Sequence, residues 1–404
     1  MTKNARLLLI AFVSGALVMV FEIVGARILA PYIGTSFYVW TALIGFVLAS
    51  LSLGYFVGGR LIDEKPQEIL IAKALFMAAI SLFGVYLFKD DFLQWINQHV
   101  IGIKASALMA TFVLFVPPSF FLGNISPMVS RLILNEIQTA GKSMGGVFAY
   151  SSIGSLLGTF LAGFVLIPIF PLSTIMLGLV GIALSLSLYL FFLEKKWLWV
   201  FVGFALLCML VYMGTTKKAD SSYILETESS YNSIKIYPSN DYKTGDSILM
   251  MQLGRQRAGG MSLVGNPLPF NYLYYFRLAE HFKPGFSKAL MLGGAAYSFP
   301  KYVLKNYPET HIDVVEIDEK LSQIAYDFFE LPKNNARLTI FHEDARTFLN
   351  KQKDKYDVIY SDTFCSAISL PYQLTSIEAV QLQYDMLEED GLLIVNVIQA
   401  VSGR

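Results

Sequence analysis

Long apolar runs fill the first half of the chain, and short alternating runs fill the second half. A helix that crosses a bilayer needs about 20 mainly apolar residues. Several segments in residues 1–216 approach that length, so the pattern predicts an all-α polytopic membrane bundle of about seven helices. The predicted spans are roughly 7–30, 38–62, 68–88, 105–125, 145–167, 172–193 and 196–213.

Beyond this bundle the pattern predicts two further domains. Residues 220–268 hold short runs of period two separated by turn residues, which predicts a small antiparallel β domain. Residues 270–404 alternate apolar runs with helical segments, which is typical of an α/β Rossmann-like parallel sheet covered on both faces. The chain ends soon after the fifth predicted parallel strand, so we expect this domain to be truncated at its C-terminus.

Composition supports the division into a membrane part and a globular part. Hydrophobic residues make up 54% of the chain and charged residues 15%, whereas soluble domains carry about 25% charged residues. The net charge is zero and the second half has no basic stripe, which argues against a nucleic-acid partner. Cys208, Cys365 and four scattered histidines form neither a disulfide framework nor a metal-ligand spacing, so no metal is expected.

The segment from Lys288 to Asp318 carries the strongest functional pattern. An apolar run ends at Gly293, Gly294 and Ala295, a helical segment follows, and a second apolar run ends at Glu316. Small residues let the backbone approach a ligand, and an acid about 20 residues later can accept hydrogen bonds from ribose hydroxyls. The pattern predicts a site for a nucleoside-bearing cofactor.

Two more acids follow predicted strands of the same sheet. Because the carboxyl ends of parallel strands line one crevice, Glu316, Asp344 and Asp362 are expected to lie close together. Ribose binding by Glu316, recognition of the adenine amine by Asp344 and chemistry at Asp362 form a coherent set. Asp344 also stands where an acid can act only as a helix N-cap.

Lysine and arginine positions predict that the N-terminus lies in the cytoplasm. Seven spans would then place the globular part outside, where a nucleoside cofactor is not expected. Either the stretch 91–104 and the proline-broken segment after it hide another crossing, or the domain is extracytoplasmic; we favour a multi-pass cell-membrane protein with a cytoplasmic domain. Glu22 and Arg27, inside the first span, indicate either a polar functional site or a structural ion pair.

From about Ile224 onward the chain resembles the spermidine synthase (polyamine aminopropyltransferase) family, and the whole chain resembles its membrane-fused branch. The supporting stretches of the globular half are 229-SSYNSIKIY-237, 314-VVEIDEKLSQIAYDFF-329, 343-EDAR-346 and 357-DVIYSD-362. In the membrane half, 22-EIVGARILAPYIGTS-36 and 54-GYFVGGRLID-63 are similar to the fused branch. The resemblance places Asn232, Asp344 and Ala345 near the cofactor and makes Asp362 the catalytic aspartate.

The resemblance implies transfer of an aminopropyl group from decarboxylated S-adenosylmethionine, or a reaction of S-adenosylmethionine itself, to a small amine such as putrescine. We expect a lipid bilayer to surround the first half of the chain. Whether the protein forms a homo-oligomer stays open. Three family acids or amides are replaced here, by Ala296, Cys365 and Leu273. A methyltransferase-like enzyme and a non-catalytic nucleoside-binding sensor or transporter therefore stay open as alternatives.

Overall fold

The computed structural model divides the chain into two compact units, Met1–Lys217 and Lys218–Arg404. The structure describes residues 2–34, 36–134, 140–215, 222–240, 245–254, 256–265, 268–363 and 372–397.

The first unit is helical throughout its described part. Between residues 2 and 215, six described helices are long and apolar enough to cross a membrane, and Trp197–Tyr212 forms a shorter apolar helix. The predicted set of about seven thus consists of six long helices and one shorter helix. Its elements are α1 (Lys3–Ile33), α2 (Phe37–Glu64), α3 (Glu68–His99), α4 (Ile103–Gly123), α5 (Ile125–Ile133), α6 (Ala140–Phe160), a π-helical segment (Leu161–Leu166), α7 (Ile167–Ile169), α8 (Leu172–Leu193) and α9 (Trp197–Thr215).

The stretch 91–104 does not form a separate crossing. Its residues up to His99 continue α3, and α4 begins at Ile103. Pro117 and Pro118 lie inside α4 without ending it. Beside this site, the Ser50 hydroxyl of α2 donates to the Val116 carbonyl at 2.9 Å, which joins the two helices by a side-chain hydrogen bond.

Small residues bring helices of this unit into backbone contact. A Cβ built on Gly154 would overlap the Phe12 carbonyl of α1, and one on Gly158 would lie 2.7 Å from the Ala16 oxygen. Gly58 of α2 approaches Asn124 in the same way. Spacing by four therefore allows the close packing that the sequence pattern predicts for such residues.

Glu22 and Arg27 do not pair with each other. Arg27 donates to the Ile167 carbonyl at 2.9 Å. The Glu22 carboxylate makes no hydrogen bond or ion pair with the part of the chain that the structure describes. Near the end of α2, Asp63 forms an ion pair with Arg131 at 3.0 Å.

The second unit begins with an antiparallel sheet in the order β1-β2-β3-β4. Its strands are β1 (Leu225–Glu228), β2 (Ser233–Asn240), β3 (Ser247–Leu253) and β4 (Gln256–Ser262). The sequence pattern predicted three runs and missed β4. Gly259 and Gly260 interrupt the alternation of side chains in β4, and Gly260 lies against the Leu249 carbonyl where a Cβ would be crowded.

A five-stranded parallel sheet follows, with the order β7-β6-β5-β8-β9. The strands alternate with helices, as predicted, and the fold is Rossmann-like. The strand order reverses beside β5, and ligands of such sheets bind outside the carboxyl ends of the strands at that point. The elements are α10 (Asn271–Phe276), α11 (Leu278–Phe282), β5 (Lys288–Leu292), α12 (Ser298–Asn306), β6 (His311–Val315), α13 (Glu319–Phe328), β7 (Leu338–Phe341), α14 (Ala345–Lys351), β8 (Tyr356–Ser361), α15 (Tyr372–Thr375), α16 (Ile377–Asp385) and β9 (Leu387–Val395).

Candidate active site

A cavity of about 600 Å³ opens at the carboxyl ends of the parallel strands. The structure brings every predicted site residue to its wall. Backbone and side chains from β4, the turn after β5 and the ends of β6, β8 and β9 complete the lining. The predicted residues in the wall are Asn232, Gly293, Gly294, Ala295, Glu316, Asp344, Ala345 and Asp362.

The turn after β5 is held in a conformation that ordinary residues rarely adopt. Gly293 has φ +93°, and a Cβ there would overlap the Asp362 carbonyl oxygen, so only glycine fits. Ala295 and Tyr297 are also left-handed, with φ of +46° and +53°. Each such residue costs about 1–2 kcal/mol, which identifies the turn as a strained segment that its surroundings keep in place.

Glu316 is the group that holds the turn. One carboxylate oxygen accepts the Gly294 N–H at 2.9 Å and the Ala295 N–H at 3.0 Å, and the other accepts the Asp318 N–H at 3.0 Å. Only 7% of the residue is exposed. Burial raises the pKa of this carboxyl, and the three N–H groups act in the opposite direction.

Asp344 and Asn232 each make a structural contact while lining the same cavity. Asp344 caps α14, because one of its oxygens accepts the Thr347 N–H at 2.9 Å. Its other oxygen makes no hydrogen bond with any residue that the structure describes. The Asn232 amide donates to Asp318 at 3.3 Å. The cap at Asp344 therefore leaves one oxygen for a ligand.

Asp362 lies at the end of β8 and is held by two side chains. Tyr272 donates its hydroxyl proton to one carboxylate oxygen at 3.0 Å, and the Asn396 amide donates to the other at 2.9 Å. Burial raises the pKa of Asp362, while the Asn396 and Tyr272 hydrogen bonds oppose that rise. A buried carboxylate with a raised pKa is suited to accept a proton.

Ala296 occupies a crowded position between the turn and β4. It is 1% exposed, and a Cβ on Gly259 would lie 2.5 Å from the Ala296 Cβ. Beside it, Ser298 donates to the Gly260 carbonyl at 2.6 Å and accepts the Gly260 N–H at 3.3 Å. The segment where the family resemblance expects an acid is thus packed against a neighbouring strand.

Sequence reasoning assigned no role to three polar residues in the cavity wall: Tyr272, Asn396 and Arg257. Tyr272 stands in a stretch that departs from its expected motif, and Asn396 directly follows the last strand, where polar residues at strand ends carry a signal. Arg257 lies on β4, which the pattern did not predict. Cys365 lies outside the described residues.

Comparison with known proteins now identifies the domain. Residues 276–400 match the spermine/spermidine synthase domain. The chain is 24% identical over 417 residues to polyamine aminopropyltransferase 2 of Aquifex aeolicus (strain VF5), covering 98% of this chain and 79% of that protein. It is 28% identical over 197 residues to the polyamine aminopropyltransferase of Vibrio vulnificus (strain CMCP6), covering 48% of this chain and 64% of that one.

Solved structures with similar parts include a probable spermidine synthase from Corynebacterium glutamicum, with 25% identity, a TM-score of 0.37 and coverage of 42% of this chain and 62% of that one. Spermidine synthase from Thermotoga maritima has 21% identity, a TM-score of 0.34 and coverages of 43% and 56%. The chain therefore spans less than two thirds of each of these structures.

The predicted resemblance to the spermidine synthase family is confirmed by the domain match and the sequence relatives. The Aquifex match extends along almost the whole chain, so it includes the helical half as well. The enzyme class that these relatives support is polyamine aminopropyltransferase-like.

Proposed function

We propose that this chain, which carries a spermine/spermidine synthase domain, is a membrane-anchored transferase that moves an aminopropyl group from decarboxylated S-adenosylmethionine to a small amine such as putrescine. The observation that supports this best is that one cavity contains both the acids suited to bind a nucleoside and an aspartate suited to accept a proton. Glu316 and Asp344 stand at one set of strand ends, and Asp362 with Tyr272 and Asn396 stands at another.

The nucleoside of the donor would be held beside β6 and β7. Ribose hydroxyls can donate to Glu316, whose two oxygens accept three N–H groups and retain lone-pair capacity. The free oxygen of Asp344 can accept from the adenine amine. No step of the reaction requires these two acids to change protonation, because their part is to bind and orient the donor.

Asp362 would act at the reacting end. It accepts a proton from the acceptor ammonium, and the freed amine nitrogen attacks the carbon next to the sulfonium. A C–N bond forms and the C–S bond breaks with its electron pair going to sulfur, which gives methylthioadenosine as a neutral thioether. The hydrogen bonds from Tyr272 and Asn396 keep the carboxylate oriented toward the cavity.

The test is a product assay on the full chain in detergent, with decarboxylated S-adenosylmethionine and putrescine. Mass spectrometry should detect methylthioadenosine and spermidine in equal amounts. Asp362→Asn should lower the rate by about 10²–10⁴-fold, the range for loss of a general base. Asp354→Asn is the matched control, since Asp354 is a half-exposed surface acid paired with Lys288, and it should leave the rate unchanged.

A folded chain that binds methylthioadenosine but forms neither product would overturn the transferase proposal and favour a nucleoside-binding sensor. The same assay with S-adenosylmethionine distinguishes a methyltransferase. Methyl transfer would release S-adenosylhomocysteine, whereas transfer of the three-carbon group releases methylthioadenosine.

Membrane anchoring is part of the same proposal. Its support is the set of six long apolar helices within the described residues of the first unit. With a cytoplasmic N-terminus, six crossings return the chain to the cytoplasm, where the nucleoside donor is made, and the shorter helix Trp197–Tyr212 would then not cross. A reporter fused after residue 404 that is active only outside the cell would contradict this arrangement.

A further inference from the structure

Arg257 puts a positive charge in the wall of a cavity that is expected to bind cationic amines. It lies on β4 together with Gln256 and Ala258, and all three line the cavity. The pairing of β3 with β4 shifts register at Met251/Gln252, so that Gln252 faces Arg257 while Met251 faces Gly259. Bulges of this kind redirect side chains, which accounts for consecutive residues reaching one cavity.

The Arg257 guanidinium has no acidic partner among the residues that the structure describes. Within the described part of the chain it makes no ion pair or side-chain hydrogen bond, and more than a third of the residue is exposed. The arginine is therefore available to a ligand, and five N–H donors in a planar fork match a carboxylate.

The position where the family resemblance expects a negative charge, Ala296, carries none. Gly259, two residues after Arg257, packs directly against Ala296, the position where the family resemblance expects an aspartate. The Ala296 methyl group thus stands where an aspartate would hold an ammonium group, and Arg257 adds a positive charge to the wall of the same cavity. This exchange of charge disfavours a purely cationic ligand and favours one that carries an anionic group.

We propose that Arg257 binds a carboxylate on one of the two substrates. This rests on the proposed function and refines it: group transfer in the same cavity stays, but one substrate carries a carboxylate that decarboxylated S-adenosylmethionine and putrescine both lack. The carboxylate belongs either to the donor, as in S-adenosylmethionine that has kept its α-carboxylate, or to the acceptor, as in an amino acid that carries a side-chain amine. Both sources present the same chemistry to the guanidinium.

Two pairs of small molecules differ by a single carboxylate and separate these sources. S-adenosylmethionine and its decarboxylated form test the donor, and ornithine and putrescine test the acceptor in the presence of methylthioadenosine. Calorimetric titration of the full chain in detergent should show that, in one pair, the carboxylate-bearing member binds about tenfold tighter or more. The preference should shrink as salt is raised, because the pair is partly exposed.

Arg257→Gln should abolish this preference, and Arg257→Lys should retain part of it because the charge stays but the fork is lost. Lys353→Gln, which removes an exposed charge elsewhere, should leave it unchanged. Equal affinities within both pairs, or a preference that survives Arg257→Gln, would overturn the inference. Methylthioadenosine alone reports on the nucleoside site: if it binds while both pairs are equal, only the inference fails, and if it does not bind, the proposed function fails.

Discussion

Glu316, which is buried, and Asp362, which is half-buried, are carboxylates at the ends of strands that flank β5, yet their surroundings differ. Backbone N–H groups of Gly294, Ala295 and Asp318 hold Glu316. Two side chains, Tyr272 and Asn396, hold Asp362. Backbone donors are present whatever the side chains are, whereas side-chain donors change with a single substitution. The end of the cavity proposed for the nucleoside (the nucleoside end) is thus held by backbone groups, whereas the end proposed for the reaction (the reacting end) can be changed by single substitutions.

The largest effect is expected at the backbone-held end. Glu316→Ala would leave three N–H groups, two of them buried, without their acceptor, at about 1–3 kcal/mol for each buried group that stays unpaired. We expect methylthioadenosine to bind at least about 100-fold more weakly by calorimetry and the C-terminal unit to unfold at lower denaturant concentration. Glu309→Ala, at an exposed acid, serves as the control. Unchanged binding would mean that Glu316 is only a structural group.

At the side-chain-held end, the effect should fall on turnover and not on binding. Tyr272→Phe removes one hydrogen bond to Asp362, which is worth about 1.5–3 kcal/mol when the acceptor is charged. We expect kcat to drop by roughly 10–100-fold with methylthioadenosine affinity unchanged. Tyr275→Phe, on the same short helix with an exposed side chain, should keep wild-type kcat. A matched loss of affinity would show that the two ends are not independent.

A smaller change is expected in the pH profile of Asn396→Ala. The Asn396 hydrogen bond opposes the rise in the Asp362 pKa, so its removal raises that pKa further. Asp362 acts as a base only when it is deprotonated. Activity should therefore fall most at acid pH and recover as the pH rises, which moves the acid limb of kcat/KM to higher pH. A uniform loss at every pH would indicate a role other than tuning this pKa.

The smallest effect concerns the strained turn. Ala295 has a left-handed backbone, so Ala295→Gly should raise the free energy of unfolding by up to about 1 kcal/mol, with turnover unchanged. Ala325→Gly, inside α13, should instead lower it by about 1 kcal/mol or more. Denaturant titration of both variants measures these two changes in the free energy of unfolding. Destabilisation by Ala295→Gly would show that its methyl contacts outweigh the strain.

Much of the nucleoside end could be predicted from the sequence, because it depends on local order along the chain. Small residues after one strand and an acid after the next are visible as spacing, and the structure brings Gly293, Gly294 and Glu316 together. For Asp344 the sequence indicated two alternatives, a helix cap and a cavity residue, and in the structure Asp344 both caps α14 and lines the cavity. Periodicity located the long helices for the same reason.

The reacting end could be predicted only in part, because its partners are distant in sequence. Tyr272 and Asn396 lie 90 and 34 residues from Asp362, and no local spacing joins them. Arg257 was missed because Gly259 and Gly260 hide the alternation of β4. A pair between Glu22 and Arg27 was one of the alternatives that the sequence left open, and the structure does not form it, for a related reason. A backbone carbonyl at Ile167, far along the chain, takes the arginine instead.

The contact of Gly154 and Gly158 with α1 also has a consequence for synthesis of the chain. These glycines are made roughly 140 residues after Phe12 and Ala16, which at about 5–20 residues per second is a delay of roughly 7–28 s. During that interval the backbone of α1 around Phe12 and Ala16 lacks its contact with α6. The helix α1 must therefore be stable before α6 packs against it. On a ribosome stalled before residue 140, the part of α1 that Gly154 and Gly158 contact would stay uncovered.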